Sequence, residues 1–127
     1  MGKSFIFFNA DALEIYNTVY ICEGAINAET IGENGIATGG KAISRYQVNR
    51  FIKSPVEKFI ILIDPDAKDK ALDLAFKLVP FKKVKVVFLP DNEDVNSLGK
   101  RKTLEYVRKT TYQTYQELLT IKSELKL

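Results

Sequence analysis

A chain of 127 residues, 46% apolar and with four prolines, has the size and composition of a single folded domain, and these values exclude a disordered chain. The absence of histidine excludes Ser-His-Asp triads and most transition-metal sites, while a single cysteine, Cys22, excludes an internal disulfide and a cysteine-based zinc site. The net charge of +3 is uneven, because residues 98–127 carry +4 and residues 1–97 carry −1.

Hydrophobic spacing and turn residues predict alternating strands and helices in the first half of the chain. In order, these are a strand at 4–8, a helix at 11–16, a strand at 18–22, a helix at 24–31 and a brief strand at 36–38. Ser44 is predicted to cap a further helix that stops before Pro55.

The second half continues the same alternation. An uninterrupted apolar strand is predicted at 59–63, a helix at 67–79 ended by Pro80, and a last strand at 84–89. From about Thr103 the chain is predicted to be helical to its end, with a break near Thr110-Thr111. This order predicts an α/β fold with a mainly parallel four-stranded sheet, flanking helices and a C-terminal helical extension.

Acidic residues follow three of the predicted strands. Glu23 follows the strand at 18–22, the turn Asp64-Pro65-Asp66 follows the strand at 59–63, and an acidic segment at 91–94 follows the strand at 84–89. In a parallel sheet joined by helices, these strand ends open on one edge, where such sheets bind ligands. Gathered carboxylates repel each other, and Mg²⁺ is the hard cation that most often joins them.

Each of these signals also has a purely structural interpretation. Asp66 is equally suited to cap the next helix, Glu23 to mark the surface, and the segment 91–94 to form a solvated loop. The turn Gly39-Gly40-Lys41 is suited either to phosphate binding or to simple flexibility. The basic end of the chain fits a polyanion partner or an ordinary solvated helix face.

Four segments together resemble the motifs of a Toprim domain, in their order and spacing. They are Glu23-Gly24-Ala25-Ile26-Asn27-Ala28, Thr38-Gly39-Gly40, Asp64-Pro65-Asp66 and Leu89-Pro90-Asp91-Asn92-Glu93-Asp94-Val95-Asn96. The resemblance covers about residues 18–99 and is strongest to the primase branch, including the primase half of phage primase–helicases. The lead-in at 7–13 is also similar to phage-type members.

The resemblance implies a role for each matching residue. Glu23 would be the general base or would organise the metal and the nucleophile, and Asp64 and Asp66 would coordinate Mg²⁺ or Mn²⁺, with two ions expected. Asp94, with Asn96, would complete the metal-binding edge. The residues expected to bind phosphate or nucleic acid are Gly39, Gly40, Lys41, Lys100, Arg101 and Lys102.

Three positions depart from the family pattern. Asn27 stands where aspartate is common, which removes a negative charge. Asp69 stands where primases usually have glycine, and its extra charge is unfavourable to a nucleotide triphosphate. Asn96 stands where aspartate is frequent, although its amide oxygen is an acceptable ligand.

The implied function is metal-dependent nucleotidyl transfer in a DNA primase that makes RNA primers on single-stranded DNA from ribonucleotides. A Toprim nuclease and a non-catalytic nucleic-acid or partner-binding module are the alternatives. The expected organisation is a lead-in at 1–17, a catalytic core at 18–99 and a basic helical segment at 100–127, favouring a fragment of a larger primase or primase–helicase. With no signal peptide or membrane span in the sequence, the expected location is the cytoplasm of a bacterial or phage-infected cell.

Overall fold

A computed structural model describes residues 8–39 and 43–127. The predicted strand at 4–8 is therefore described only at Phe8, which forms an isolated antiparallel bridge with Ala37. Gly40 and Lys41, two of the predicted phosphate-binding residues, lie outside the described residues.

The described strands form one four-stranded sheet in which every neighbouring pair is parallel. The strands are β1 (Thr18–Cys22), β2 (Gly35–Ala37), β3 (Lys58–Ile61) and β4 (Lys83–Val86), in the order β2-β1-β3-β4. The two central strands are nearly continuous apolar runs because helices cover both of their faces. The predicted parallel α/β fold is confirmed.

Seven helices accompany these strands in the described part of the chain. They are α1 (Ala12–Ile15), α2 (Ala25–Ile31), α3 (Arg45–Lys53), α4 (Lys68–Leu78), α5 (Val95–Leu98), α6 (Lys100–Lys109) and α7 (Tyr115–Leu125). Within the described residues, no helix combines the length and apolar character that crossing a bilayer requires.

Alternate residues of the central strands enter two separate hydrophobic clusters. On one face Val19 and Phe59 pack with residues from α1, α3, α4 and α7. On the other face Cys22 and Ile60 pack with residues from α2, α5 and α6. The sheet is thus covered on both faces, which leaves its ends as the open surfaces of the fold.

The chain after β4 differs from the single interrupted helix expected from about Thr103. Helix α5 comes first, and Gly99, with φ of +85°, separates it from α6. The predicted break near Thr110-Thr111 is confirmed, because α6 ends at Lys109 and α7 begins only after Thr114. Thr114 forms a capping box with Glu117, which fixes the start of the last helix.

Candidate functional site

The carboxyl ends of β1 and β3 bring Glu23 and Asp64 to the same edge of the sheet. Glu23 directly follows Cys22, the last residue of β1, and Asp64 follows β3 by three residues. The backbone N–H of Gly39 donates a 2.9 Å hydrogen bond to the carbonyl oxygen of Glu23, which fixes the main chain there. Parallel pairing of β1 with β3 therefore produces the predicted meeting of acidic groups.

Asp64 is the carboxylate at this edge on which the neighbouring charged side chains act. Its pKa is raised, mainly because partial burial disfavours the charged carboxylate, and further because Glu23, Asp94 and Asp66 repel it in that order. The ammonium group of Lys70 acts in the opposite direction. The other three carboxylates that the motifs singled out are thus close enough to act on Asp64.

The backbone of the turn Asp64-Pro65-Asp66 fixes the positions from which its two carboxylates extend. Pro65 opens a single 3₁₀ turn that ends at Ala67, whose N–H donates to the Asp64 carbonyl oxygen at 2.9 Å. The N-cap of α4 is Ala67, so Asp66 does not serve as the cap of this helix. Asp66 is exposed at the edge, which leaves its carboxylate available to a ligand.

Asp94 has a structural role at the same edge. It is the N-cap of α5: its Oδ1 accepts from the Ser97 N–H at 2.8 Å, and its own N–H donates to the Ser97 hydroxyl at 2.9 Å. An open cleft lies between this cap and the aspartate turn. Its lining comprises Asp64, Pro65, Asp66, Asp91, Asn92, Glu93, Asp94 and Ser97.

Asn27 joins the elements around the cleft, a role that the sequence did not indicate. Its side chain is only 7% exposed, its Oδ1 accepts from the Asn96 N–H at 3.0 Å, and its Nδ2 donates to Asp64 Oδ1 at 3.5 Å. The side-chain Oδ1 of Asn96 lies 3.4 Å from the hydroxyl of Thr30. Asn96 is therefore oriented by α2, and its role as a metal ligand stays a prediction.

Lys70 was also not singled out from the sequence. Its Nζ lies 3.5 Å from Glu23 Oε2, and the two side chains are 25% and 18% exposed. The position follows from the first turn of α4, which begins just after the aspartate turn. The helical pattern predicted α4, and extending it to the polar positions near its start would have indicated this lysine.

The predicted phosphate-binding residues lie in different places. Gly39 has φ of +98°, but its N–H is already used by Glu23, so that donor does not face a phosphate. Lys100, Arg101 and Lys102 are exposed in the first turn of α6. The Lys100 Nζ lies 3.3 Å from the position of a Cβ added to Gly32, at the end of α2 remote from Glu23.

The donor chemistry of the edge suits Mg²⁺ or Mn²⁺, since carboxylate oxygens are hard ligands. Among the described residues, however, no group of three or more acidic or cysteine side chains is arranged to hold one ion. Each of three carboxylates already has a protein partner: Lys70 for Glu23, Asn27 for Asp64 and Ser97 for Asp94. Metal binding at this edge therefore competes with these contacts.

Comparison with known proteins gives similarity in structure without similarity to a recognised sequence family. No family model matches the chain, and no curated protein sequence matches it. The primase of Aquifex aeolicus, solved with its zinc-binding and RNA polymerase domains, superposes with a TM-score of 0.75 at 18% identity, covering 89% of this chain and 32% of that one.

Two further solved structures are similar to this chain in fold. A DNA primase domain from Pseudomonas aeruginosa gives a TM-score of 0.71 at 22% identity, covering 88% of this chain and 40% of that one. A DnaG primase catalytic domain bound to single-stranded DNA gives 0.71 at 20% identity, covering 88% of this chain and 42% of that one.

These superpositions confirm the resemblance to the Toprim domain of the primase branch at the level of the fold. The chain spans between a third and a half of the length of the Pseudomonas and DnaG domains, and slightly less than a third of the Aquifex structure.

Proposed function

We propose that this chain, whose fold is similar to part of the solved primase structures, carries out metal-dependent nucleotidyl transfer during the synthesis of RNA primers on single-stranded DNA. One observation carries the proposal: Glu23 and Asp64 follow neighbouring parallel strands at the carboxyl edge of the sheet, where Asp64, Asp66 and Asp94 line one open cleft. An α/β sheet binds its ligands at this edge. Carboxylates concentrated there favour a divalent cation together with the phosphates that it binds.

In the proposed mechanism Glu23, Asp64, Asp66 and Asp94 would hold two Mg²⁺ or Mn²⁺ ions, and Glu23 would also orient the attacking hydroxyl or accept its proton. When bound, such ions would supply Lewis-acid chemistry, which lowers the pKa of the attacking 3′ hydroxyl and offsets negative charge at the phosphorus. Pro65 restricts the turn so that both aspartates remain at the edge while the substrate binds.

Nucleic acid is the proposed partner. The DnaG catalytic domain that superposes on this chain was solved with single-stranded DNA, which supports a template of that kind here. Basic residues on α6, beginning at Lys100, are proposed to contact the phosphate backbone, and ribonucleotides are proposed to bind beside the carboxylates.

A non-catalytic binding module is the second candidate, and a specific observation favours it. Asn27 replaces a carboxylate at a position where the family commonly has aspartate, and its amide is committed to Asp64 and Asn96. A module that uses the edge only to bind a partner would tolerate this loss of charge.

The decisive experiment compares Asp64→Asn and Glu23→Gln with the control Asp73→Asn. Asp73 is an exposed residue of α4 that pairs with Lys77, away from the edge. Each protein is incubated with single-stranded DNA, ribonucleotides and Mn²⁺, and the product lengths are measured.

Primer growth that falls by on the order of 10²–10³-fold in the two edge variants, and not in the control, supports the proposal. Shortened DNA would indicate a nuclease that uses the same carboxylates with water as nucleophile. DNA binding that is equal in all four proteins, without any product, would indicate the binding module.

A further inference from the structure

We infer that Lys70 is a positioning residue that holds Glu23 as an internal counterion, and that a divalent cation must displace this ammonium group before it can bind Glu23. The inference rests on the proposed function, because it takes Glu23 to be a metal ligand. It adds a residue that none of the motif segments contains.

The geometry of the pair supports this role. The Nζ of Lys70 lies 3.5 Å from Oε2 of Glu23, and three quarters or more of each side chain is shielded from solvent. Opposite charges interact more strongly when they are partly shielded than when water and salt surround them. A second ion pair on α4, between Lys77 and Asp73, is shorter at 3.0 Å, but its side chains are 50% and 68% exposed, so water and salt screen it more.

The charges around the edge explain why this lysine matters. The net charge at the edge is −4 when Glu23, Asp64, Asp66 and Asp94 are all ionised, and Lys70 reduces it to −3. The other three carboxylates and the Lys70 ammonium group all act electrostatically on Asp64. The carboxylates of Asp64 and Asp94 accept from neutral groups, the side-chain amide of Asn27 and the backbone N–H of Ser97. Of the three partners, only Lys70 competes with a cation by charge.

A divalent ion bound to Glu23 would meet an ammonium group a few ångströms away, so the two cations exclude each other at this carboxylate. Lysine suits such exchange because its charge is carried on a flexible four-carbon stem. Its side chain is 25% exposed, which leaves a path by which the ammonium group can turn toward solvent.

The test is calorimetric titration of the chain with Mn²⁺, using Lys70→Met, Lys70→Arg and the control Lys77→Met. Lys70→Met is expected to bind Mn²⁺ about twofold to tenfold more tightly than the wild type, because no ion pair has to be broken. Lys70→Arg keeps the charge and should remain near the wild type, as should Lys77→Met.

Thermal unfolding provides a second readout that does not depend on activity. In EDTA, Lys70→Met should melt at a lower temperature than the wild type because the carboxylates lose their counterion. On addition of Mn²⁺ its melting temperature should rise by more than that of the wild type, since ligand stabilisation grows with affinity. Lys70→Gln should follow Lys70→Met in both measurements.

Equal or weaker Mn²⁺ binding by Lys70→Met and Lys70→Gln, relative to the wild type and to Lys77→Met, would overturn the inference. Asp64→Asn separates this failure from failure of the site itself. If Asp64→Asn abolishes Mn²⁺ binding while the Lys70 variants leave it unchanged, only the role of Lys70 is wrong. If Mn²⁺ binds neither the wild type nor Lys70→Met, or binds regardless of Asp64, the proposed metal site fails as well.

Discussion

The backbone N–H of Asn96 donates a 3.0 Å hydrogen bond to the side-chain oxygen of Asn27, joining the first turn of α5 to α2. The same amide reaches Asp64 through its Nδ2 at 3.5 Å. Asn27 is buried, and its neutral side chain therefore connects the three segments that follow β1, β3 and β4. An aspartate here would still accept from Asn96, but it would repel Asp64.

Replacing Asn27 should separate its role as the acceptor for the Asn96 N–H from its role as a neutral neighbour of Asp64. Asn27→Leu leaves the Asn96 N–H without its acceptor and is expected to lower the free energy of unfolding by about 1–3 kcal/mol. Asn27→Asp keeps the acceptor but adds repulsion at Asp64, so it should be destabilised mainly in EDTA and recover on addition of Mn²⁺. Urea unfolding with and without Mn²⁺ measures both effects, and recovery of Asn27→Leu with Mn²⁺ would contradict this assignment.

The raised pKa of Asp64 predicts a pH dependence of stability. Between its ordinary value of 3.8 and its raised value in the folded chain, the folded state binds more protons than the unfolded state. Stability contributed by this group is therefore complete below pH 3.8 and is lost as the pH rises through the folded pKa.

Asp64→Asn should consequently raise the melting temperature in EDTA at neutral pH, and the difference should vanish as the pH falls toward 3.8. Asp73→Asn, at an exposed position, is the control and should show no such convergence. A neutral-pH melting temperature that is unchanged or lower in Asp64→Asn would mean that burial of the Asp64 carboxylate and repulsion from its neighbours do not destabilise the fold.

The features predicted correctly from the sequence are those that neighbouring residues determine. Ser44 was identified as an N-cap, and its hydroxyl accepts from the Gln47 N–H at 3.1 Å within a capping box. The apolar run of β3 and the turn after it likewise depend on residues that are adjacent in the chain. The meeting of Glu23 with Asp64 needed only the additional rule that parallel strands end at one edge.

The contacts that were missed join residues that are far apart in sequence. Lys70 is 47 residues from Glu23, and Asn96 is 69 residues from Asn27. From the sequence alone Asn27 indicates only a lost charge, because packing of α5 on α2 and of α2 beside Asp64 is what brings its hydrogen-bond partners to it. Such pairings depend on how helices are placed over the sheet, which local spacing does not specify.

Gly35 in β2 is predicted to be intolerant of any side chain. A Cβ at this position would lie 2.4 Å from the carbonyl oxygen of Ala28 and 3.1 Å from the Cβ of Ile31, where α2 packs on the strand. Gly35→Ala should therefore cost about 1–3 kcal/mol through overpacking, which urea unfolding will measure. Gly24→Ala is the control: its Cβ would meet nothing within 4 Å, so a loss equal to that of Gly35→Ala would argue against close packing as the cause.

Gln113 covers the outer edge of β4 and is predicted to protect it. Its side chain accepts from the Val86 N–H at 2.7 Å and donates to the Val86 carbonyl oxygen at 3.2 Å, while its own N–H donates to Val84 at 3.0 Å. Gln113→Ala should lower the free energy of unfolding by about 1–3 kcal/mol and speed amide exchange at Val86. The exposed Gln116→Ala is the matched control. Because an uncovered edge strand pairs with other chains, light scattering should also show more self-association of Gln113→Ala, and unchanged exchange at Val86 would refute the protective role.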